Sequence, residues 1–151
     1  MSDTLVGVIL GSKSDLEVMK ACTGQLEELG VPYELLVASA HRNPGKVHDW
    51  AEAAEERGLS VIIAAAGKAA HLAGVVAAYT TLPVIGVPMK TSDLGGMDSL
   101  LSMVQMPGGV PVACVAINGA KNAAILATQI IATSQEEYRT KLKAFKEGMA
   151  V

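Results

Sequence analysis

Three short polar signatures interrupt an otherwise apolar chain: Gly11-Ser12-Lys13-Ser14-Asp15, Ser39-Ala40-His41-Arg42 and Ala66-Gly67-Lys68-Ala69-Ala70-His71. Together they offer hydroxyls, a carboxylate, a guanidinium and imidazoles. Hydroxyls and a guanidinium suit a phosphate. Imidazole titrates near neutral pH, so it can carry protons during a reaction. The set predicts a phosphate-bearing small molecule handled with proton transfer.

Each signature also has a plainer reading. Gly11 lets the backbone turn sharply after a strand, placing Ser12, Ser14 and Asp15 at a helix N-terminus. Free N–H groups there suit a phosphate or a sugar, but Ser and Asp are also ordinary helix caps. Asp15 would repel phosphate and bind ribose hydroxyls well. Ser39, His41 and Arg42 end a second strand, where Arg42 can grip phosphate with two N–H groups and His41 can shuttle protons; the alternative is a solvated loop. Gly67 and its small neighbours let a ligand approach the backbone, while His71 either points into the site or caps the next helix. His48 sits among polar residues within a helix pattern and reads as an exposed or half-buried side chain. The Gly86–Pro88 strand end leads into Thr91, Ser92, Gly95, Gly96 and Asp98, a loop with the composition of a mobile cover. Gln105–Pro111 is too apolar for a free loop and is expected at a subunit contact or a site wall.

These residues need a scaffold that brings them together. Strand and helix patterns alternate along the chain. Strands are predicted over Thr4–Leu10, Tyr33–Ala38, Ser60–Ala66, Val84–Val87 and Pro111–Ala116. Helices are predicted over Ser14–Leu29, Pro44–Arg57, Ala69–Thr80, Asp98–Gln105, Lys121–Ala132 and Ser134–Lys146. Gly30 with Pro32, and Gly58, are stop signals; Pro44 suits a first helical turn; Ser134 with Glu137 has capping-box spacing. Such alternation implies a parallel sheet with right-handed crossovers. The expected fold is a three-layer α/β/α sandwich with a flavodoxin-like parallel sheet and an extra C-terminal helix, in one domain spanning 1–151. In a parallel sheet all strand-to-helix handovers share one edge, and ligands bind there. The last helix has little sheet left to cover and is expected to pack on a neighbouring subunit.

Composition narrows the class. The chain has 151 residues, of which 50% are hydrophobic, 18% charged and 3% aromatic, an apolar excess that points to a homo-oligomer. The net charge of −3 and the absence of a basic block argue against nucleic-acid binding. Cys22 and Cys114 lack metal-type spacing and read as buried free thiols. No apolar run reaches membrane-spanning length and no leader pattern precedes the first strand, so a cytoplasmic protein with no membrane partner is expected. Walker, dinucleotide and nucleophile-elbow patterns are lacking, and no His, Cys or carboxylate cluster has metal spacing. The reading needs no metal and no cofactor.

At these residues the chain resembles the class I PurE family, the N5-carboxyaminoimidazole ribonucleotide mutases of purine biosynthesis. The resemblance rests on Gly11–Asp15, Ser39–Arg42 with Pro44, Ala69-Ala70-His71-Leu72, Leu82–Pro88, Asp98-Ser99-Leu100, Gln105-Met106-Pro107 and Asn122-Ala123-Ala124. It implies transfer of a carboxylate from the exocyclic nitrogen to ring carbon C4, without ATP or metal, by a flavodoxin-like octamer. It also implies that Ser12, Asp15 and Arg42 bind the ribose phosphate, that His41 moves the proton, and that Gly67, Ala70, His71 and Leu72 line the carboxylate end. Lys68 and Ala73 depart from the family pattern, in which a small or apolar residue and often Pro stand. Related class II enzymes, which carboxylate the nucleotide directly with CO2, can carry a basic residue near the Lys68 position, but Arg42 with Pro44, Ala69-Ala70-His71 and Gln105-Met106-Pro107 are of class I type. From the residues alone, a flavodoxin-like nucleotide- or flavin-binding module is the non-enzyme alternative. A phospho-receiver would end the third strand in Asp rather than in Ala64-Ala65-Ala66, and a flavin carrier would need aromatics to sandwich the ring where this chain has the lone Trp50 within a helix.

Overall fold

The computed structural model describes residues 4–150; residues 1–3 and 151, included in the expected domain, lie outside the described residues. Five strands form one sheet: β1 (Val6–Leu10), β2 (Tyr33–Val37), β3 (Val61–Gly67), β4 (Val84–Met89) and β5 (Ala113–Cys114). Their order is β2-β1-β3-β4-β5, and every pairing is parallel. The helices are α1 (Leu16–Glu28), α2 (Pro44–Glu52), α3 (Leu72–Tyr79), α4 (Met97–Val104), α5 (Ala120–Ala132) and α6 (Glu136–Met149), and a 3-10 turn over Lys13–Asp15 precedes α1. This order is flavodoxin-like.

The sandwich follows from the strand period. Val61, Ile63 and Ala65 of β3 face one side, packing with α1, α5 and α6 through Met19, Ala124 and Leu142. Ile62, Ala64 and Ala66 face the other, against α2, α3 and α4 through Val47, Val76 and Met103. Both faces being covered, the central strands read as continuous apolar runs rather than alternating ones. Small side chains let the layers approach closely. A Cβ on Gly7 would meet Leu59 Cδ1 at 2.7 Å and the Trp50 ring at 2.9 Å. Gly7→Ala is therefore expected to cost about 1–3 kcal/mol through overpacking, read as a lower denaturation midpoint. An unchanged midpoint would mean that Trp50 is free to move.

Several element ends differ from expectation for local reasons. The second helix is regular only to Glu52. Beyond it the backbone runs in tight turns, with Arg57 N–H donating to Ala53 O and Gly58 N–H to Glu55 O, before Gly58 reverses it at φ +90°. The fifth strand shrinks to two residues. Pro111 has no N–H to give a ladder, and at the far end Asn118 (φ +58°) turns the chain so that its N–H reaches Pro88 O. The fourth strand instead runs on to Met89.

Ser134 does not cap the last helix. Its hydroxyl donates back to Ile131 O at 3.4 Å, which ends α5, and α6 begins at Glu136 after an uncapped Gln135. Helix α6 has a cover within this chain. It packs on this chain's own α5 side, burying Tyr138 and Leu142, and Arg139 ties the two helices by donating to Ala132 O at 3.1 Å. Cys22 is fully buried, and burial pushes its thiol up to about 12. Cys114, expected to be buried, is only partly so, because β5 is a short edge strand. Among the described residues no helix is long and apolar enough to cross a membrane.

Candidate active site

Register brings the three signatures to one edge. Leu10 lies between Val37 and Ala65, so the residues after β1, β2 and β3 emerge side by side. The last ladder bonds, Gly11 N–H to Ala65 O and Ala38 N–H to Leu10 O, are each 2.9 Å. Beyond them opens a cavity of about 430 Å³, lined by Gly11, Ser12, Ser14 and Asp15 after β1, and by Ser39, Ala40, His41 and Arg42 after β2. Its third wall is Ala66, Gly67, Lys68, Ala69, His71 and Leu72 after β3, and Thr91 closes it from the β4 side. Ala70 belongs to the packed core instead.

Each wall is fixed by its own hydrogen bonds. Ser12 Oγ accepts from Ser14 N–H at 3.3 Å and from the Ser14 hydroxyl at 2.9 Å. The capping reading of Ser12 thus holds, and the cap forms part of the cavity wall. Ser39 Oγ accepts from Arg42 N–H at 3.1 Å, stapling the turn that carries His41. Arg42 Nη2 donates to Gly11 O at 3.2 Å, which anchors the guanidinium across the β1 end. His41 Nε2 and His71 Nδ1 lie 2.7 Å apart, with the rings edge to face. One of the two nitrogens must hold the hydrogen and the other accept it, so this contact carries a single proton between two imidazoles. His71 therefore points to His41, and its side chain makes no cap on α3.

Asp15 is buried, and burial pushes its carboxyl above the ordinary value, with a hydrogen bond to the Ser12 backbone pulling the other way. A raised folded-state value means that the native protein holds the proton more firmly than the unfolded chain does. The ionised carboxylate therefore costs stability at neutral pH. That cost fades as pH falls through the folded-state value and is gone below the unfolded one. Asp15→Asn should raise the melting temperature of the unliganded protein at pH 7, by a margin that shrinks on acidification. It should also weaken nucleotide binding by roughly tenfold or more, as expected for a lost charged hydrogen bond. A variant no more stable at pH 7 would show that the carboxylate is satisfied in place.

Sequence reasoning assigned no role in the site to Lys68 and did not single out Asp93. Lys68 adopts φ +56° and its Nζ donates to Asp93 Oδ2 at 2.6 Å, pinning the loop after β4 to the cavity rim. That loop also explains Gly67, where a Cβ would meet Thr91 Cγ2 at 2.9 Å. The signal for the pair was weak: one Lys among small residues, and an Asp in a polar loop. His48 stands apart on α2, stacked edge to face on Tyr79. Gln105–Pro111 does not line this chain's own cavity; Met106 packs on Gly74 of α3, within 3.2 Å of where its Cβ would be.

Fold and cavity together define a flavodoxin-like α/β protein with a pocket lined by hydroxyls, a carboxylate, a guanidinium and two imidazoles at the carboxyl edge of its sheet. The AIR carboxylase family model matches residues 5–151. An N5-carboxyaminoimidazole ribonucleotide mutase of Thermotoga maritima is 60% identical over 144 residues, covering 95% of this chain and 84% of that protein. The same enzyme of Pyrococcus horikoshii is 57% identical over 145 residues, covering 96% and 82%. The crystal structure of Treponema denticola PurE superposes with a TM-score of 0.87 at 27% identity, covering 96% of this chain and 90% of that one. The chain belongs to the AIR carboxylase family.

Proposed function

We propose that this chain is an N5-carboxyaminoimidazole ribonucleotide mutase, an isomerase of purine biosynthesis that moves the carboxylate from N5 to C4. The observation that carries the mechanism is the His41–His71 contact inside a pocket that also holds Arg42. Arg42, Ser12 and Ser14 take the phosphate, and Asp15 takes ribose hydroxyls. Ser39 holds the turn bearing His41, while Gly67, His71 and Leu72 border the imidazole and its carboxylate.

The chemistry balances with one shuttled proton. The N5–carboxylate bond breaks with its electron pair left on nitrogen, and CO2 departs. Nitrogen takes a proton from His41. C4 then attacks CO2, forming the new C–C bond, and the C4 proton returns to His41, restoring the aromatic ring. Substrate displaces His71 Nδ1 from His41 Nε2 and so meets that nitrogen, while the edge-to-face packing of the His71 ring keeps His41 in line. The small apolar walls at Ala40, Ala66 and Ala69 suit confinement of CO2, and exclusion of water strengthens the remaining polar contacts.

Assembly is part of the reading. Met97, Leu101 and Val104 form a stripe on α4, each about half exposed in the single chain, and such a stripe supports burial against further copies. We take the assembly to be the octamer that the family resemblance implies, of single-domain subunits in the cytoplasm. The direct assay supplies either the N-carboxylated nucleotide or the uncarboxylated nucleotide with bicarbonate, without ATP. C4-carboxylated product from the first alone at low bicarbonate supports the mutase; efficient product from the second would make it a direct carboxylase.

A further inference from the structure

We propose that Lys68 is a specificity-determining residue that binds the migrating carboxylate, with Asp93 as the partner which that carboxylate displaces. This rests on the mutase reading above. Arg42 and Lys68 lie on the loops after β2 and β3, with β1 between those strands. Adjacent strands are about 4.8 Å apart, so the two loops leave the sheet roughly 10 Å apart. The substrate is likewise anionic at both ends, with a phosphate on the ribose and a carboxylate on the base. Arg42 is anchored at the β1 end by Gly11 O, which leaves Lys68 as the cation for the other end of the cavity.

The geometry of Lys68 fits that role. A left-handed φ of +56° is uncommon for a residue with a side chain. Here it directs the Lys68 side chain toward the loop after β4, where Nζ meets Asp93 at the cavity rim. The two side chains are 65% and 63% exposed, and exposed pairs of this kind are weakly held. A carboxylate entering the cavity can therefore replace Asp93 at Nζ. Asp98 lies close enough to act on Lys68 as well, and one of its carboxylate oxygens is buried without a hydrogen-bond partner. Asp93 is the main group that favours the charged form of Lys68, and a substrate carboxylate taking its place at Nζ supplies the same negative charge.

Two variants separate this from a purely structural strap. Lys68→Gly removes the ammonium and suits the left-handed backbone. Asp93→Asn breaks the pair but leaves the ammonium. Affinities are measured by calorimetry for the C4-carboxylated nucleotide and for the uncarboxylated one. Lys68→Gly should weaken the carboxylated nucleotide about tenfold and leave the uncarboxylated one within about twofold. Asp93→Asn should bind the carboxylated nucleotide as well as the unaltered protein, or better. Equal losses for both nucleotides in Lys68→Gly, no loss at all, or an Asp93→Asn loss matching that of Lys68→Gly would overturn the assignment. If the unaltered protein binds neither nucleotide, the mutase reading itself fails, which is a distinct result.

Discussion

Replacing His41 by Asn is expected to lower mutase turnover by roughly 10²–10⁴-fold, the range for loss of a general acid–base group, while fold and nucleotide binding persist. The reaction needs one group that gives a proton to nitrogen and takes one back from C4. His41 lines the cavity, and its Nε2 already shares a proton with His71 Nδ1 across 2.7 Å. Asn can still hydrogen-bond to His71 but does not titrate in the working range. His71→Asn should cost less, because His71 then acts by aligning His41. Steady-state assays beside ligand titrations separate the two. Near-normal turnover in His41→Asn, or a larger loss in His71→Asn, would move the proton to His71.

Loss of the Arg42 guanidinium should show in binding rather than in chemistry. A charge-assisted, two-pronged phosphate contact contributes about 1.5–3 kcal/mol, so Arg42→Ala should weaken nucleotide affinity roughly ten- to hundredfold. Arg42→Lys should rescue it poorly, since an ammonium is a point charge without the planar fork that also reaches Gly11 O. Calorimetry with the uncarboxylated nucleotide isolates this end of the molecule from Lys68. Unchanged affinity in Arg42→Ala would place the phosphate elsewhere on the rim.

The edge of the sheet was legible because fully buried runs such as Val61–Ala66 end at glycine and polar residues. A parallel sheet then leaves those ends no other place to meet. Boundaries were less legible where two local signals competed. Ser134 with Glu137 spells a capping box, but Ser134 lies so close after α5 that its hydroxyl and N–H both go back to Ile131 O. Sequence likewise does not say that α5 leaves room beside it for Tyr138 and Leu142 of α6. Lys68 and Asp93 are 25 positions apart, and only the adjacency of β3 and β4 brings them together. The His41–His71 pairing is of the same kind: both residues were candidates, but nothing in the spacing set their rings in contact.

The central claim is intramolecular transfer of the carboxylate within the pocket, and isotope retention tests it most directly. The N-carboxylated nucleotide, labelled with ¹³C in its carboxylate, is turned over to partial conversion in excess unlabelled bicarbonate. The C4-carboxylate of the product is then read by mass spectrometry. Product that keeps the label is the predicted result. Product carrying unlabelled carbon from the medium, while the residual substrate keeps its label, would contradict the account.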